Sequence, residues 1–327
     1  MPIERDIVGV LDRLTLGGPE ALDGLSSSVT QLRGVLTSKN VIGVGVADKE
    51  TAGKPTGELA LCFYVERKLP LARLSAAQAV PPGVPPALSR KVISTDVVVL
   101  GKIHLDGGSE EGLIQPGISI GHFKTTVGTL GALVRRGKQI QLLSNAHVLA
   151  LSGKAKLGDS ILSPGKEDGG RFPRDVVARL SRVKKFVPGG AFVNTVDCAL
   201  ATPLKTRMGA LRAEILKLGL PRGTMPPKRG MKVMKVGRTS GETAGVVRDI
   251  HFRFVFRYEG IGDVGFLDQV LCTRYSSPGD SGSLVLDKRT KKAVGLHFAG
   301  APAGSVFCPI GEVLSALGAE LITEALE

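Results

Sequence analysis

The sequence predicts a mainly β protein in which a small α/β domain precedes a larger domain of antiparallel strands. Three observations lead to this prediction. The 327 residues are enough for more than one folded core. The chain contains 43 glycines and no tryptophan, and 43% of its residues are hydrophobic against 22% charged, a globular composition. Beyond residue 112 it consists of short apolar runs separated by turn residues, which is typical of β-barrels or sandwiches.

The first 112 residues divide into a helical segment, 1–34, and an α/β domain, 35–112. Apolar residues recur at helical spacing in the first segment until two glycines interrupt them: Ile7, Val8, Val10, Leu11 and Leu14. Three strands and one short helix are predicted in the second: Val41–Lys49, Glu58–Lys68, Lys91–Gly101, and a helix over Leu69–Val80 stopped by two prolines. The polar, glycine-rich stretch Asp106–Gly112 marks the boundary.

The larger domain, 113–327, is predicted to contain short strands and one terminal helix. Two strands lie within Thr126–Ala150, and a series of strands and bends covers Met231–Tyr258. The other predicted strands, followed by the amphipathic helix, are Asn194–Leu204, Phe266–Tyr275, Gly282–Asp287, Lys292–Gly300 and Ile310–Leu326.

The net charge of +13 favours acidic partners through long-range attraction. The basic residues occur in small scattered clusters without interleaved aromatic residues, so nucleic-acid binding is not expected. Four cysteines, Cys62, Cys198, Cys272 and Cys308, form no Cys-x-x-Cys pair, so neither a metal site nor a cofactor is predicted.

The beginning of the chain, MPIERDIVGVLDRL, is interrupted by charges and lacks the apolar core of a signal peptide. No run of about 18 apolar residues occurs, so no membrane span is expected. The simplest interpretation is a cytoplasmic protein with reduced thiols.

The stretch SSPGDSGSLVL, residues 276–286, surrounds the hydroxyl of Ser281 with glycines and one acid. A serine nucleophile needs a base within hydrogen-bond reach, and the base needs an orienting acid. His147 follows the apolar run QIQLLSNA and is the candidate base. Asp197 lies within VDCALA, where an unpaired buried carboxylate would be costly, and is the candidate acid. Asp175, in PRDVVARL, is the alternative acid.

In chain order, LSNAHVLA, VDCALA and SPGDSGSLVL resemble the three signature segments of the trypsin- and chymotrypsin-like serine peptidases. The resemblance covers about residues 116–320. It implies two six-stranded antiparallel β-barrels, about 116–205 and 229–309, a C-terminal helix over 310–326, and an active site in the cleft between the barrels. The N-terminal α/β domain is similar to one that bacterial members often carry.

The resemblance also implies a function, a serine endopeptidase acting on proteins or peptides. Ser281 would attack the scissile carbonyl, His147 would transfer the proton, and Asp197 would orient the imidazole. The backbone N–H groups of Gly279 and Ser281 would form the oxyanion hole. A latent or inactive interaction module on the same fold is the alternative, and the N-terminal domain is a candidate site for a regulatory partner.

Two further residues are candidates for substrate binding. In such peptidases the strand after the nucleophile, here VGLHFAG, forms a wall of the specificity pocket, and the pocket base precedes the nucleophile. These positions single out His297 and Ser276. The segment GLHFAG is similar to that of glutamyl endopeptidases, where a histidine receives an acidic side chain, which implies cleavage after Glu or Asp. A His297 that only packs in the barrel is the alternative.

Asp280 precedes the nucleophile, as in the family members that are activated by cutting, in which a new N-terminus pairs with this acid. More than a hundred residues precede the barrels here. Either another cation pairs with Asp280, or the chain is cut, or the carboxylate only caps a turn. We expect a permanent partner within the fold.

Overall fold

The computed structural model describes residues 2–16, 27–51, 54–70, 73–75, 78–101, 113–124 and 127–326. The predicted boundary stretch, 106–112, lies outside these residues. The chain divides into two compact units: the first contains 1–102, 187–194 and 248–269, and the second contains 103–186, 195–247 and 270–327.

The first unit begins with two helices, α1 (Pro2–Thr15) and α2 (Ser27–Leu36). They pack their apolar residues against strands β1 (Val41–Thr51) and β2 (Lys54–Val65) in one hydrophobic cluster. Strand β3 (Thr95–Val99) pairs with β2 in parallel. The described residues of Leu69–Val80 contain no α-helix. Residues 71, 72, 76 and 77 of the predicted helix lie outside the described residues, and the Gln78 side chain accepts hydrogen bonds from the N–H and the hydroxyl of Ser75.

Segments from later in the chain complete this sheet. Strand β1 pairs with β13 (Gly241–Tyr258), and β10 (Phe192–Asn194) pairs with β14 (Gly262–Cys272). The domain limits predicted from sequence leave 187–194 and 248–269 in the larger domain. The structure places them in the first unit, because their strands extend the sheet that β1 begins.

The first barrel of the second unit contains seven short strands, of which β5 and β6 are separated by only two residues and together act as one of six. They are β4 (Ser119–His122), β5 (Gly128–Thr129), β6 (Ala132–Arg136), β7 (Gln139–Ser144), β8 (Ser160–Leu162), β9 (Val176–Val183) and β11 (Ala199–Pro203). Strand β4 pairs with β5, the chain continues into β6, and the sheet returns through β7, β11, β9 and β8 to β4. A short helix, α3 (Ala146–Leu149), follows β7.

The second barrel is also a closed ring of six strands. In the order of their pairing they are β14, β17, β16, β15, β12 and β13, and β13 pairs with β14 again. The strands not yet given are β12 (Lys232–Gly237), β15 (Leu284–Asp287), β16 (Ala293–Ala301) and β17 (Gly304–Pro309). The predicted mainly β fold, with two antiparallel six-stranded barrels after a small α/β region, is confirmed.

The C-terminal helix is shorter than predicted. Helix α4 covers Ile310–Leu317 and ends at Gly318, whose φ of 60° lies in the left-handed region that ends helices. The chain then adds a two-residue strand, β18 (Glu320–Leu321), to the edge of β6. None of the helices in the described part of the chain is long and apolar enough to cross a bilayer.

Candidate active site

His147 and Asp197 come together because β7 and β11 are neighbours in the first barrel. Ser144, the last residue of β7, pairs with Ala199, and His147 and Asp197 lie just beyond these two positions. The Nδ1 atom of His147 is 2.5 Å from Oδ2 of Asp197. The other carboxylate oxygen accepts the backbone N–H groups of Ala146 and His147 at 2.7 and 3.3 Å. The fully buried carboxylate therefore has a donor on each oxygen.

Two side chains also hold the backbone of Asp197. Asn145 donates from Nδ2 to the Asp197 carbonyl at 2.7 Å, and the Asp197 N–H donates to the sulfur of Cys308, on β17, at 3.3 Å. Burial raises the pKa of the Cys308 thiol well above its ordinary value, which keeps the thiol protonated and uncharged. Sequence reasoning assigned no role to Asn145 or Cys308.

Ser281 lies on a loop of the second barrel between two glycines with left-handed backbone, Gly279 at φ 122° and Gly282 at φ 96°. Thr129 of the first barrel holds this loop: its N–H donates to the Ser281 carbonyl at 2.7 Å and its hydroxyl to the Gly279 carbonyl at 3.0 Å. A Cβ at Gly282 would lie 2.2 Å from both Oγ of Ser144 and the Thr129 carbonyl. The Ser281 loop therefore packs directly on the end of the strand that leads to His147.

His147 and Asp197 thus come from one six-stranded barrel and Ser281 from a second, with the loops of both in contact. The fold is that of the chymotrypsin-like serine peptidases.

No family model matches the chain, and no curated protein matches it. Solved structures resemble it at low identity. Protease A of Thermobifida fusca is 17% identical over 65% of this chain and 100% of that one, with a TM-score of 0.45. A glutamic-acid-specific serine protease, described as using a histidine triad in substrate binding, is 18% identical over 64% and 100%, with a TM-score of 0.46. The chymotrypsin of Cellulomonas bogoriensis is 15% identical over 64% and 99%, with a TM-score of 0.43.

In this chymotrypsin-like arrangement, Ser281 and His147 are not joined by a hydrogen bond. The hydroxyl of Ser281 donates to the Phe298 carbonyl at 3.2 Å. The Nε2 atom of His147 is buried and has no hydrogen-bond partner among the described residues. The structure therefore brings His147 and Asp197 into contact, and it directs the hydroxyl of Ser281 to a backbone carbonyl.

Asp280 is enclosed by donors from β12, from the turn that follows β12, and from its own loop. Lys235 Nζ lies 2.8 Å from Oδ2, and both side chains are fully buried. The N–H groups of Ser277, Thr239 and Ser240 donate at 3.0, 3.1 and 3.1 Å. Burial acts to raise the pKa of Asp280, but the charge of Lys235 and the hydrogen bonds from Lys235, Ser240 and Ser277 outweigh it, so the pKa is lowered. Lys235 is the permanent partner within the fold.

The two candidate substrate-binding residues each contact one residue that the sequence did not single out. Nδ1 of His297, on β16, is 3.3 Å from the hydroxyl of Tyr275. The hydroxyl of Ser276 is 2.7 Å from that of Ser305. His297 is fully buried, and Ser276 is only 6% exposed. These contacts form a polar cluster of one imidazole and three hydroxyl groups.

Asp175, the alternative acid, lies elsewhere. Its carboxylate accepts from Arg174 at 2.8 Å and from the N–H of Arg171 at 2.7 Å. Hydrogen bonding to Arg174 is the largest cause of its lowered pKa. Because Asp197 occupies the Nδ1 side of His147, this geometry leaves no orienting role for Asp175. Among the described residues, no group of three His, Cys, Asp or Glu side chains converges as a metal site.

Proposed function

We propose that the protein is a serine endopeptidase that uses Ser281, His147 and Asp197. The observation that carries the proposal is the 2.5 Å contact between His147 and Asp197, which fixes the imidazole with Nδ1 towards the acid. That orientation leaves Nε2 as the basic nitrogen. It takes the Ser281 proton during attack on the scissile carbonyl and returns it to the leaving amine. Water then hydrolyses the acyl-enzyme by the reverse sequence of proton transfers.

The hydrogen bond from Ser281 to the Phe298 carbonyl must break before attack. We propose that rotation about χ1 of Ser281 removes the hydroxyl from this carbonyl and directs it to Nε2 of His147. One hydrogen bond of this kind is worth only about 0.5–1.5 kcal/mol net, so substrate binding can supply the cost.

The backbone N–H groups of Gly279 and Ser281 are the proposed oxyanion hole. Among the described residues, the Gly279 N–H donates no hydrogen bond, which leaves it available to a developing oxyanion. The φ of 122° at Gly279 orients this group, and a Cβ would disfavour that conformation. Loss of one such donor lowers kcat by roughly 100- to 1000-fold in serine peptidases.

The uncut chain is proposed to be competent. Lys235 supplies the cation that cleavage-activated members obtain from a new N-terminus, and it lies on β12 within the same unit as Asp280. Intact mass spectrometry of protein labelled at Ser281 tests this point. We expect the labelled mass to be that of the full chain plus the label. Labelling confined to a shortened chain would contradict it.

The cluster around His297 supports a preference for cleavage after Glu or Asp. Its imidazole and the hydroxyls of Tyr275, Ser276 and Ser305 are the donor types that bind a carboxylate. Peptide-library profiling tests the preference, which would be wrong if cleavage followed mainly Lys, Arg or large aromatic residues. His297→Asn should lower kcat/KM for Glu substrates and leave labelling by a small fluorophosphonate unchanged.

A latent interaction module is the alternative, and the hydroxyl of Ser281 held on Phe298 is the observation that favours it. A fluorophosphonate probe separates the two functions, with Ser281→Ala as the control. If the protein is a peptidase, the probe should label wild type and should not label Ser281→Ala. If wild type is never labelled, even after limited proteolysis, the peptidase proposal fails.

Two expectations from the sequence remain proposals. Regulation through the N-terminal region is supported by strands β13 and β14, since each contributes residues to both units. A reducing compartment such as the cytoplasm is supported by the four cysteines, which are all buried and unbridged.

A further inference from the structure

A basic groove lies on the first barrel, between the turn at residues 153–157 and the end of β9 at 181–185. Its volume is about 700 Å³, within the roughly 300–1,000 Å³ that ligand sites usually occupy. Four of its lining residues are cationic, Lys154, Lys156, Arg182 and Lys185, and the lining that the structure describes includes no Asp or Glu.

Three of these four cations are not neutralised by an ion pair within the described residues. Within the described residues, no ion pair involves Lys156, Arg182 or Lys185, and all three are exposed. The carboxylate of the neighbouring acid, Asp159, contacts Nε2 of His122 at 3.1 Å and accepts the backbone N–H of Lys156 at 2.9 Å, and no ion pair within the described residues joins it to these three side chains. A concave surface with one sign of charge concentrates the field and attracts a ligand of the opposite sign.

The remaining lining residues indicate which kind of anion fits. Ala155 and Val183 pack on the core of the barrel, and Leu157 is 66% exposed at the rim. The described lining contains no aromatic side chain on which a nucleic-acid base could stack. A ligand that fits this groove carries carboxylates, which pair with the cations, and aliphatic side chains, which pack on the apolar floor. An acidic peptide that also contains leucine-like residues has both.

We propose that this groove binds an acidic, aliphatic peptide segment. The groove adjoins the catalytic acid through the sheet, since Val183 of β9 pairs with Ala199, two residues after Asp197, and the Lys184 N–H donates to the Cys198 carbonyl at 3.1 Å. An acidic segment of a substrate bound here lies on the barrel that supplies His147 and Asp197. The role of the groove in holding a substrate rests on the proposed peptidase function, whereas its binding of an acidic peptide does not.

Fluorescence anisotropy with full-length Ser281→Ala protein tests binding without cleavage. The probe is a labelled 12-residue peptide of alternating Glu and Leu, and its Gln and Leu counterpart is the neutral control. The test variant reverses three groove charges, Lys156→Glu, Arg182→Glu and Lys185→Glu. The control variant reverses three exposed lysines of the same unit, Lys205→Glu, Lys228→Glu and Lys288→Glu, so both variants have the same net charge.

We expect the groove variant to weaken Kd for the acidic peptide about tenfold or more, and the control variant by less than about threefold, since exposed ion pairs contribute modestly and locally. If the reversal variant fails to fold, the neutral triple Lys156→Gln, Arg182→Gln and Lys185→Gln replaces it, with the same expectation in direction. Equal losses in the groove and control variants would overturn the proposal, and so would equal binding of the neutral peptide. Tighter binding of a single-stranded DNA of equal charge would assign the groove to nucleic acid and overturn it too.

Discussion

Lys235 and Asp280 form an ion pair of 2.8 Å in which neither side chain is exposed, directly beneath the loop that carries Ser281. A buried pair of this kind holds a conformation more than it stabilises the protein, because the cost of removing two charges from water is large. Here the held conformation is that of the residues on either side of Asp280, Gly279 and Ser281.

Replacement of Lys235 by Met should disable the Ser281 loop. The carboxylate of Asp280 would then be buried without its cation, which typically costs about 3–5 kcal/mol. We expect a fall of that size in the free energy of unfolding by urea, and loss of fluorophosphonate labelling. Lys232→Met, at an exposed position of the same strand, should change neither. Normal labelling of Lys235→Met would show that the loop keeps its shape without the cation.

Acid should act through the same pair. Because the pKa of Asp280 is lowered in the folded protein, its contribution to stability is present above the ordinary pKa of the carboxyl, about 4, and disappears as pH falls through the lowered value. We expect Ser281 to keep its ability to be labelled after brief exposure to pH of about 5. Well below pH of about 4 this ability should decline, and it should return when the pH is raised again. If labelling is already lost between pH of about 6 and 5, a group other than Asp280 controls the acid sensitivity.

Gly282→Ala should abolish activity and destabilise the second unit. The added Cβ would meet Ser144 Oγ and the Thr129 carbonyl at 2.2 Å, and the φ of 96° disfavours any residue with a Cβ. We expect a loss of several kcal/mol in thermal or urea unfolding. Gly311→Ala is the matched control: its Cβ meets nothing within 4 Å and it lies in α4, so a gain of about 0.5–1 kcal/mol is expected. A Gly282→Ala protein with full activity would exclude the contact between loop and strand.

Cys308 should act by positioning Asp197. Cys308→Ala removes the sulfur that accepts the Asp197 N–H and leaves a buried donor unpaired, at a cost of about 1–3 kcal/mol. We expect kcat to fall with little change in KM, and a change in the downfield proton resonance of the His147 Nδ1–H. Cys308→Ser restores an acceptor and should recover most of the activity. Equal effects of Ala and Ser would indicate a packing role alone.

The first unit should lose stability as pH rises through neutrality. The pKa of His251 is raised from its ordinary value by its contact with the Asp268 carboxylate, 3.6 Å away, and by nearby acids, against the effect of burial. A raised pKa means that the stabilisation is complete below about pH 6.5 and is lost as pH passes the raised value. Urea unfolding at pH of about 6 and 8 should show this loss in wild type. In His251→Asn the stability at the two pH values should be the same. If the variant still loses stability between them as wild type does, His251 is not the group responsible.

The proposed catalytic residues could be selected from the sequence because each lies in a short local pattern. The glycines around Ser281 and the apolar runs beside His147 and Asp197 are visible without any knowledge of the fold. The two barrels were predicted from the family resemblance that these segments carry. The direction of the Ser281 hydroxyl could not follow, because a side-chain rotamer depends on atoms that only the folded chain brings near, here the Phe298 carbonyl.

Residues that support the site were harder to predict. Lys235 is 45 positions from Asp280, and a lysine in a strand is normally on the surface. The apolar neighbours on both sides of it in MKVMKVG were the available signal that this strand is buried on both faces. Cys308 carried no signal, because a cysteine in a buried strand is ordinarily a small apolar residue. The pairing of β1 with β13 joins residues some two hundred positions apart, and no local pattern encodes such a partner.

The pairing of β1 with β13 has a consequence for the history of the protein. The N-terminal region is not a self-contained cassette, because β1 pairs with β2 of its own stretch of chain and also with residues 253 and 254 of β13. Deleting residues 1–102 would leave the outer half of β13 as a bare strand edge, a template for aggregation. The two regions are therefore expected to have been inherited together, with changes in one matched by changes along residues 248–269.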